Sequence, residues 1–204
     1  VALELAKQKS NKDTQPMRER IENESDRLNK MISRLLILAK LETDSEVVEP
    51  VRVDLAEIVN QVAEDADFEA QAKGRSVTVS AKEHCTVMGS ENLLRSAIEN
   101  VLRNAVRYTA EGTVVDVSLA ANNGHAVLQV SDHGGGVPDD ELKNLFRPFY
   151  RVGEDRTRKT GGIGLGLAIA ERAILAHKGT ISARNTDHGL LVEIRLDKDA
   201  LSNS

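Results

Sequence analysis

The sequence predicts an α+β protein: an α/β sandwich in which helices cover one face of a mixed, mostly antiparallel sheet, preceded by a partial helical hairpin. Three observations carry that reading. Near the N-terminus Ile21, Leu28 and Leu35 recur every seven residues, with Met17, Met31 and Leu38 on adjoining positions, which is the seam of a coiled coil or helical bundle. From Asp54 onward, helix-length amphipathic stretches and short alternating stretches mix without strict alternation, which favours an antiparallel sheet with helices on one side. Hydrophobic residues make up 40% and charged residues 29%, enough apolar surface to build a core.

Residues 1–11 read as the tail of one helix and 17–43 as a long second one, with Pro16 at its entry. Arg18, Glu19, Arg20 and Glu22 flank its seam as a solvated face. The hairpin takes residues 1–44 and a linker containing Pro50 takes 45–53, the sandwich takes 54–198, and 199–204 form a tail. Asp54 opens a helix reaching about Gly74, with Glu57 three positions on as the second half of a capping box. Strands follow over 76–81 and 86–89, and Ser90 then caps a helix to about Tyr108. The alternating stretches 113–121 and 125–131 read as a strand pair joined through Asn122, Asn123 and Gly124. After a Gly-rich turn come a short helix from about Pro138 and an irregular stretch to Gly164. A helix to about His177 and strands over 180–185 and 190–196 complete the order.

Composition excludes several functions. A net charge of -5 opposes binding to a phosphate backbone, and aromatics at 2% leave almost no stacking platforms for nucleic acid. Cys85 is the single cysteine, with no second thiol for a disulfide or a shared metal, and reads as a small semi-buried residue of a reducing compartment. The longest apolar run, 35–39, is far short of the roughly 20 residues that span a bilayer. Val1 opens a helical pattern already in progress, without an initiator Met or a cap, so the chain is expected to be a piece of a longer one.

Four clusters carry chemistry. In Glu99-Asn100-Val101-Leu102-Arg103-Asn104-Ala105-Val106-Arg107-Tyr108, a helix places Asn100, Asn104 and Arg107 on one face, opposite Ile98, Val101, Leu102 and Ala105. Taken alone, the two asparagines read as exposed helix surface. Asp132-His133-Gly134-Gly135-Gly136-Val137 follows a strand, where glycines let backbone approach a ligand and a carboxylate can accept from an amine, although an ordinary turn explains it equally. His133, with no partner ligand in view, reads as a loop filler. Phe146-Arg147-Pro148-Phe149-Tyr150-Arg151 gathers three of the five aromatics beside two arginines, the composition of an anchor under a hinged lid. Gly161-Gly162-Ile163-Gly164-Leu165-Gly166-Leu167 leads into a helix and follows Arg156, Arg158 and Lys159. Glycines at a helix start expose amides to phosphate. A flexible linker is the alternative, and the run matches neither the Walker loop nor the dinucleotide fingerprint.

Together, in this order and spacing, the clusters resemble the N box, first glycine box, F box and second glycine box of the sensor histidine kinases. These belong to the wider GHKL family that includes gyrase, the Hsp90 chaperones and MutL. The resemblance covers about 54–196, and the preceding hairpin resembles the dimerisation and histidine-phosphotransfer domain. Phe146-Arg-Pro-Phe-Tyr-Arg and the Arg-Tyr-Thr after the N box look most like the Cpx envelope-stress sensor kinases. The resemblance implies a Bergerat-type sandwich that binds ATP with Mg2+. It implies that Asp132 accepts from the adenine amino group, a contact worth roughly 1.5–3 kcal/mol that favours ATP over GTP. Asn104 would offer its amide oxygen to Mg2+, with Asn100 in support. Arg107 would reach the phosphates and Tyr108 would lie beside the nucleotide. Gly134 and Gly136 would free the lid, Gly162, Gly164 and Gly166 with Leu165 and Leu167 would frame the phosphate chain, and Arg151, Arg156, Arg158 or Lys159 would neutralise it.

Two positions depart from the family pattern. Ile163 stands where Thr or Ser is usual, and Gly135 replaces a common Pro, which is expected to loosen the first turn. The ATPase relatives carry a water-activating glutamate one turn before the Mg2+ asparagine, but here that place is Asn100, which cannot take a proton, so a kinase is favoured over an ATPase. The five histidines, His84, His125, His133, His177 and His188, all lie outside the hairpin and outside the phosphoacceptor motif, so no catalytic residue is expected within the chain and the acceptor is expected before Val1. The resemblance further implies a response regulator as partner, a homodimer through the hairpin in the full protein, dimer or monomer for this piece, and a place on the cytoplasmic side of a bacterial inner-membrane protein. A signalling module that only senses nucleotide and a pseudokinase are the competing readings.

Overall fold

The structure, a computed structural model, describes residues 17–22, 24–25, 28–29, 31–33, 35–39, 50–81, 85–153 and 163–199. The chain divides into two units, Val1–Ile37 and Leu38–Ser204. In the first, the described residues from 17 on are helical, and Met17, Ile21 and Leu28 of the heptad seam stand exposed. The helix expected over 1–11 lies outside the described residues.

In the second unit the elements run β1 (Val51–Asp54), α1 (Leu55–Gln71), β2 (Ser76–Ala81), β3 (Thr86–Gly89), α2 (Glu91–Tyr108), β4 (Val114–Asn122) and β5 (His125–Ser131). A single 3-10 turn (Leu142–Asn144), α3 (Gly166–Ala176), β6 (Thr180–Asn185) and β7 (Leu190–Asp197) follow. The main sheet has the order β2-β4-β5-β7-β6, with β2 and β4 parallel and the other neighbours antiparallel. The α+β architecture read from the sequence is therefore the observed one.

Side-chain alternation explains why this sheet forms. Val115, Val117 and Leu119 of β4, Ala126, Leu128 and Val130 of β5, and Val192, Ile194 and Leu196 of β7 are buried, while the residues between them are more exposed. Register aligns them into rows: Val117 faces Val130, which faces Val192, and Leu119 faces Leu128, which faces Ile194. The helices cover this apolar face, with α1 against β2 and α2, α2 against α3, and α3 against β6. Leu94 and Leu102 of α2 have no solvent exposure. Each such leucine contributes about 1.5–3 kcal/mol through burial.

Local chemistry sets the helix ends. Asp54 accepts from the Ala56 amide at 2.9 Å and so caps α1. Glu57, expected to return the favour to the cap, instead accepts from Gln61 at 3.2 Å, leaving half a capping box. The segment read as a linker ends in β1, whose four residues pair with β3 to make a separate two-stranded ribbon. The helix expected from Pro138 is also reduced, to the 3-10 turn Leu142–Asn144. Leu142, Leu145 and Phe146 all fold against the core there, and Pro148 follows too soon for a longer helix.

His177 ends α3 and locks it to α2. Its Nε2 accepts from the Ser90 amide at 2.9 Å, at the N-cap of α2, and its Nδ1 donates to the Ala173 carbonyl at 2.6 Å. With both nitrogens engaged by backbone the ring cannot swing away. A Cβ on Gly89 would lie only 2.2 Å from the ring Cδ2. Gly89→Ala should therefore lower unfolding free energy by about 1–3 kcal/mol through overpacking, measured by urea denaturation. An unchanged midpoint would show that the ring yields.

Candidate functional site

The Gly-rich turn after β5 is built around Asp132. Only 4% of this residue is exposed, although it carries a carboxyl group. The amides of Gly134 and Leu190 both donate to its Oδ1, at 2.9 and 3.2 Å, and neither bond uses Oδ2. Burial pushes the carboxyl above its ordinary value, an effect partly offset by those two amides and by the neighbouring His133. The result is an acceptor fixed in direction, at a strand end, on the edge of the core.

Two neighbours approach Asp132 so closely that a side chain would not fit. A Cβ on Gly189, in the turn between β6 and β7, would fall 2.0 Å from the Asp132 carbonyl oxygen. A Cβ on Gly134 would fall 2.3 Å from the carbonyl oxygen of Tyr108, the last residue of α2. The turn is thereby pressed between the β6–β7 hairpin on one side and the C-terminal end of α2 on the other. Gly189 escaped the sequence reading because its neighbour is 57 positions earlier, though an isolated glycine before a strand was its one visible signal.

The far end of the turn is held by Asn185, at the end of β6. Its Oδ1 accepts from the Val137 amide at 3.0 Å, and its Nδ2 donates to the Val137 carbonyl and to Asp139, both at 2.7 Å. This side chain imitates a strand neighbour. Gly136 has a positive φ of 75° and sits where a Cβ would meet Asn185 Oδ1 at 2.6 Å. Gly135, expected to loosen the turn in place of proline, does the reverse. Its amide donates to the His188 carbonyl at 3.2 Å and its φ is 85°, neither of which proline permits.

His133 is an anchor, not a filler. Its Nδ1 donates to the Val114 carbonyl at 2.7 Å, and its ring stacks on His188 with centroids 5.9 Å apart.

Along α2, Asn100 and Asn104 are half-buried, while Arg107 and Tyr108 are exposed. Asn100 donates to the Ser96 carbonyl at 2.8 Å, which leaves its Oδ1 facing outward from the helix. Gly166, the first residue of α3, packs against that oxygen: a Cβ there would lie 3.1 Å from it. Among the described residues the Asn104 side chain has no hydrogen-bond partner. The start of α3 has Leu165 at its cap with no side-chain bond to the first amides, as an anion-accepting helix start requires.

The second glycine box also meets the F box. Phe149 donates its amide to the Gly164 carbonyl at 2.8 Å, and a Cβ on Gly164, whose φ is 77°, would lie 2.8 Å from the Phe149 and Tyr150 backbones. Phe146 packs on the core as an anchor, but Phe149 is 51% exposed with a positive φ of 64°, so it does not. Leu165 and Leu167 are buried and Arg151 is half-buried. Gly162, Arg156, Arg158 and Lys159 lie outside the described residues.

The expected residues that are described thus gather along the C-terminal half of one helix. Gly134, which donates to Asp132, meets α2 at Tyr108, and Gly166 meets it at Asn100, eight positions earlier in the sequence. At 1.5 Å per residue that separation is about 12 Å.

Comparison with known proteins shows the family and the fold. Residues 89–200 match the family described as histidine kinase-, DNA gyrase B-, and HSP90-like ATPase. The sensor histidine kinase CpxA of Escherichia coli K12 is 38% identical over 172 residues, covering 84% of this chain and 37% of CpxA. The chain spans well under half the length of the curated relatives it matches, between 37 and 42%. Among solved structures, the mycobacterial sensor histidine kinase MprB aligns with a TM-score of 0.65 and 28% identity, over 73% of this chain and 97% of that one. Full-length ShkA, solved in complex with AMPPNP, aligns with a TM-score of 0.77 and 26% identity, over 88% of this chain and 38% of that one. Because the family model matches residues 89–200, more than half of its length, the chain belongs to the histidine kinase-, DNA gyrase B- and HSP90-like ATPase family.

Proposed function

We propose that the chain is the ATP-binding catalytic part of a sensor histidine kinase, with 54–198 as the catalytic domain, 45–53 as the linker and 1–44 as part of the dimerisation and phosphotransfer hairpin. The observation that carries this reading is the buried Asp132, with Oδ1 committed to two amides and Oδ2 left for a ligand. An exocyclic amine satisfies such an acceptor, whereas a guanine carbonyl at the same place would repel it, so adenine is the favoured base. From there α2 leads about 12 Å to Asn100, a span on the scale of a nucleotide and its phosphates. Tyr108 and Arg107 flank the base and the phosphates. The uncapped start of α3, with Gly164, Leu165, Gly166 and Leu167, takes the phosphate chain, assisted by Arg151 and by Gly162, Arg156, Arg158 and Lys159 before it. The ShkA complex with AMPPNP supports an adenine nucleotide as ligand.

Mg2+ fits the donors that are present. Among the described residues no group of three or more His, Cys, Asp or Glu could hold a metal, and an ion that brings ligands of its own suits such a site. Mg2+ does so, because it keeps several waters and binds phosphate oxygens, and needs only one or two protein oxygens. Asn104, half-buried and without a side-chain hydrogen-bond partner among the described residues, would supply one, with Asn100 in support. When bound, the ion would neutralise charge between the phosphates. The chain's own residues bind and orient the nucleotide and limit water access to it.

Asn100 also bears on reaction type. An amide cannot accept a proton from water, so this position keeps the terminal phosphate for transfer instead of hydrolysis. The phosphate would pass to a histidine upstream of Val1 and then to a response regulator, in a full-length homodimer joined through the hairpin on the cytoplasmic side of a bacterial inner membrane. No helix among the described residues is long and apolar enough to cross a membrane.

Three outcomes test this reading. Calorimetric titration with Mg-AMPPNP should give saturable binding, and Asn104→Ala should weaken it about tenfold or more while changing metal-free nucleotide binding little; no binding by the parent chain contradicts the proposal. Incubation with γ-labelled ATP should leave the 204-residue chain unlabelled, and acid-labile phosphate on any of its histidines would contradict an upstream acceptor. Asp132→Asn links binding to stability. The folded Asp132 holds its proton more tightly than the unfolded chain does, so its native-state contribution is favourable at low pH and is lost as pH rises through the carboxylate range. The amide cannot ionise, so the variant should melt higher than the parent at pH 7 without nucleotide, with the gain fading toward about pH 3. The same variant should bind ADP about 10- to 100-fold more weakly. A lower melting temperature at pH 7, or unchanged ADP affinity, would refute this account of Asp132.

A further inference from the structure

Thr109, the C-cap of α2, has no solvent exposure although it is polar. Its Oγ1 lies 3.1 Å from the His133 amide and 2.8 Å from the hydroxyl of Thr113. The direction of these bonds can be deduced. Thr113 Oγ1 lies 2.6 Å from the Ala110 carbonyl, which can only accept, so the single Thr113 hydroxyl proton is committed there. Thr109 must then donate to Thr113, and its oxygen accepts from His133. The Ala110 amide, finally, donates to the His133 carbonyl at 3.3 Å. The bonds form a closed one-way circuit linking the end of α2, the residue before β4 and the residue after Asp132.

The position of this circuit gives it a consequence for recognition. From the sheet side Asp132 is held by the Leu190 amide, at 3.2 Å. From the helix side the turn is held by Thr109 through His133, with Gly134 pressed on the Tyr108 carbonyl. A carboxylate that distinguishes one purine edge from another must be fixed relative to both sides of the pocket, to within about 0.5 Å. Thr109 is the hydroxyl that supplies the helix-side restraint.

The geometry points to Thr109 as a positioning residue for purine selection, one that sets Asp132 relative to α2 without touching the nucleotide. This assignment rests on the nucleotide reading given above. Valine keeps the shape but neither accepts from His133 nor donates to Thr113, whereas serine keeps both bonds.

The test is to measure ADP and GDP dissociation constants by calorimetry for the parent, Thr109→Val and Thr109→Ser, well below each melting temperature. Thr109→Val should lose about tenfold in ADP affinity, with the ADP-to-GDP preference falling by a similar factor, and Thr109→Ser should restore both. A purely structural role would lower the melting temperature and leave the preference of the folded protein unchanged, and that result overturns the proposal. Where Thr109→Val fails to fold, Thr113→Val breaks the circuit one member further on and should shift the preference in the same direction by less; the parental preference in that variant overturns the proposal too. A parent chain that binds no ADP defeats the nucleotide reading itself, and this assignment with it, whereas parental ADP binding with an unmoved preference defeats this assignment alone.

Discussion

A carboxylate that is kept almost entirely from water has to be given hydrogen-bond donors, and the surroundings of Asp132 are organised by that requirement. Its two amide donors come from separate parts of the chain, Gly134 just after it and Leu190 at the start of β7. Bringing Leu190 into place needs the β6–β7 hairpin to close against the Asp132 backbone, and that approach is possible only because residue 189 has no side chain. Bringing Gly134 into place needs the turn to lie against the last carbonyl of α2, where again a side chain would collide. The donors offset only part of the burial, so the carboxyl stays above its ordinary value. Such incomplete compensation of a buried polar group is the kind of stability cost that functional sites often carry.

The remaining parts follow from a division between a fixed end and an adjustable end. At the Asp132 end, Asn185, His133 and Thr109 tie the turn to β6, β4 and α2 through side-chain-to-backbone bonds, and Gly135 adds a backbone bond to His188. At the other end, Gly164 and Gly166 meet the Phe149 backbone and Asn100, and α3 begins without a side-chain cap. Base recognition needs the first kind of construction, since it depends on direction. Phosphate binding tolerates the second, because a charged, many-oxygened group can be met by several amides at once.

Much of this was legible in the sequence because it is written in local patterns. The strands Ser76–Ala81, Thr86–Gly89, His125–Ser131 and Thr180–Asn185 coincide with alternating apolar runs between turn residues, and Asp54 and Ser90 cap their helices as their chemistry suggests. The described residues of the four motif clusters lie on the elements expected of them. What was not legible depends on partners far away in the chain. Strand β1 has only four residues and gains its identity from pairing with β3. Asn185 acts 48 positions from Val137, Thr109 acts 24 from His133, and His177 acts 87 from Ser90, and no local window contains either pair member's reason. Gly135 was misread for a related cause: without the His188 carbonyl in view, replacing a proline looks like a loss of rigidity. Phe149 shows the opposite error, where clustering with Phe146 suggested burial but the residue stands half exposed.

The most direct test of the whole account is a 1H–15N correlation spectrum of the chain recorded during titration with Mg-AMPPNP. Saturable shifts are expected at the amides of Gly134, Leu190 and Gly166, which mark the two ends of the site, with Ser118 and Glu193 on the open face of the sheet unmoved. Saturable shifts confined to the open sheet face, or an unchanged spectrum at millimolar ligand, would contradict it.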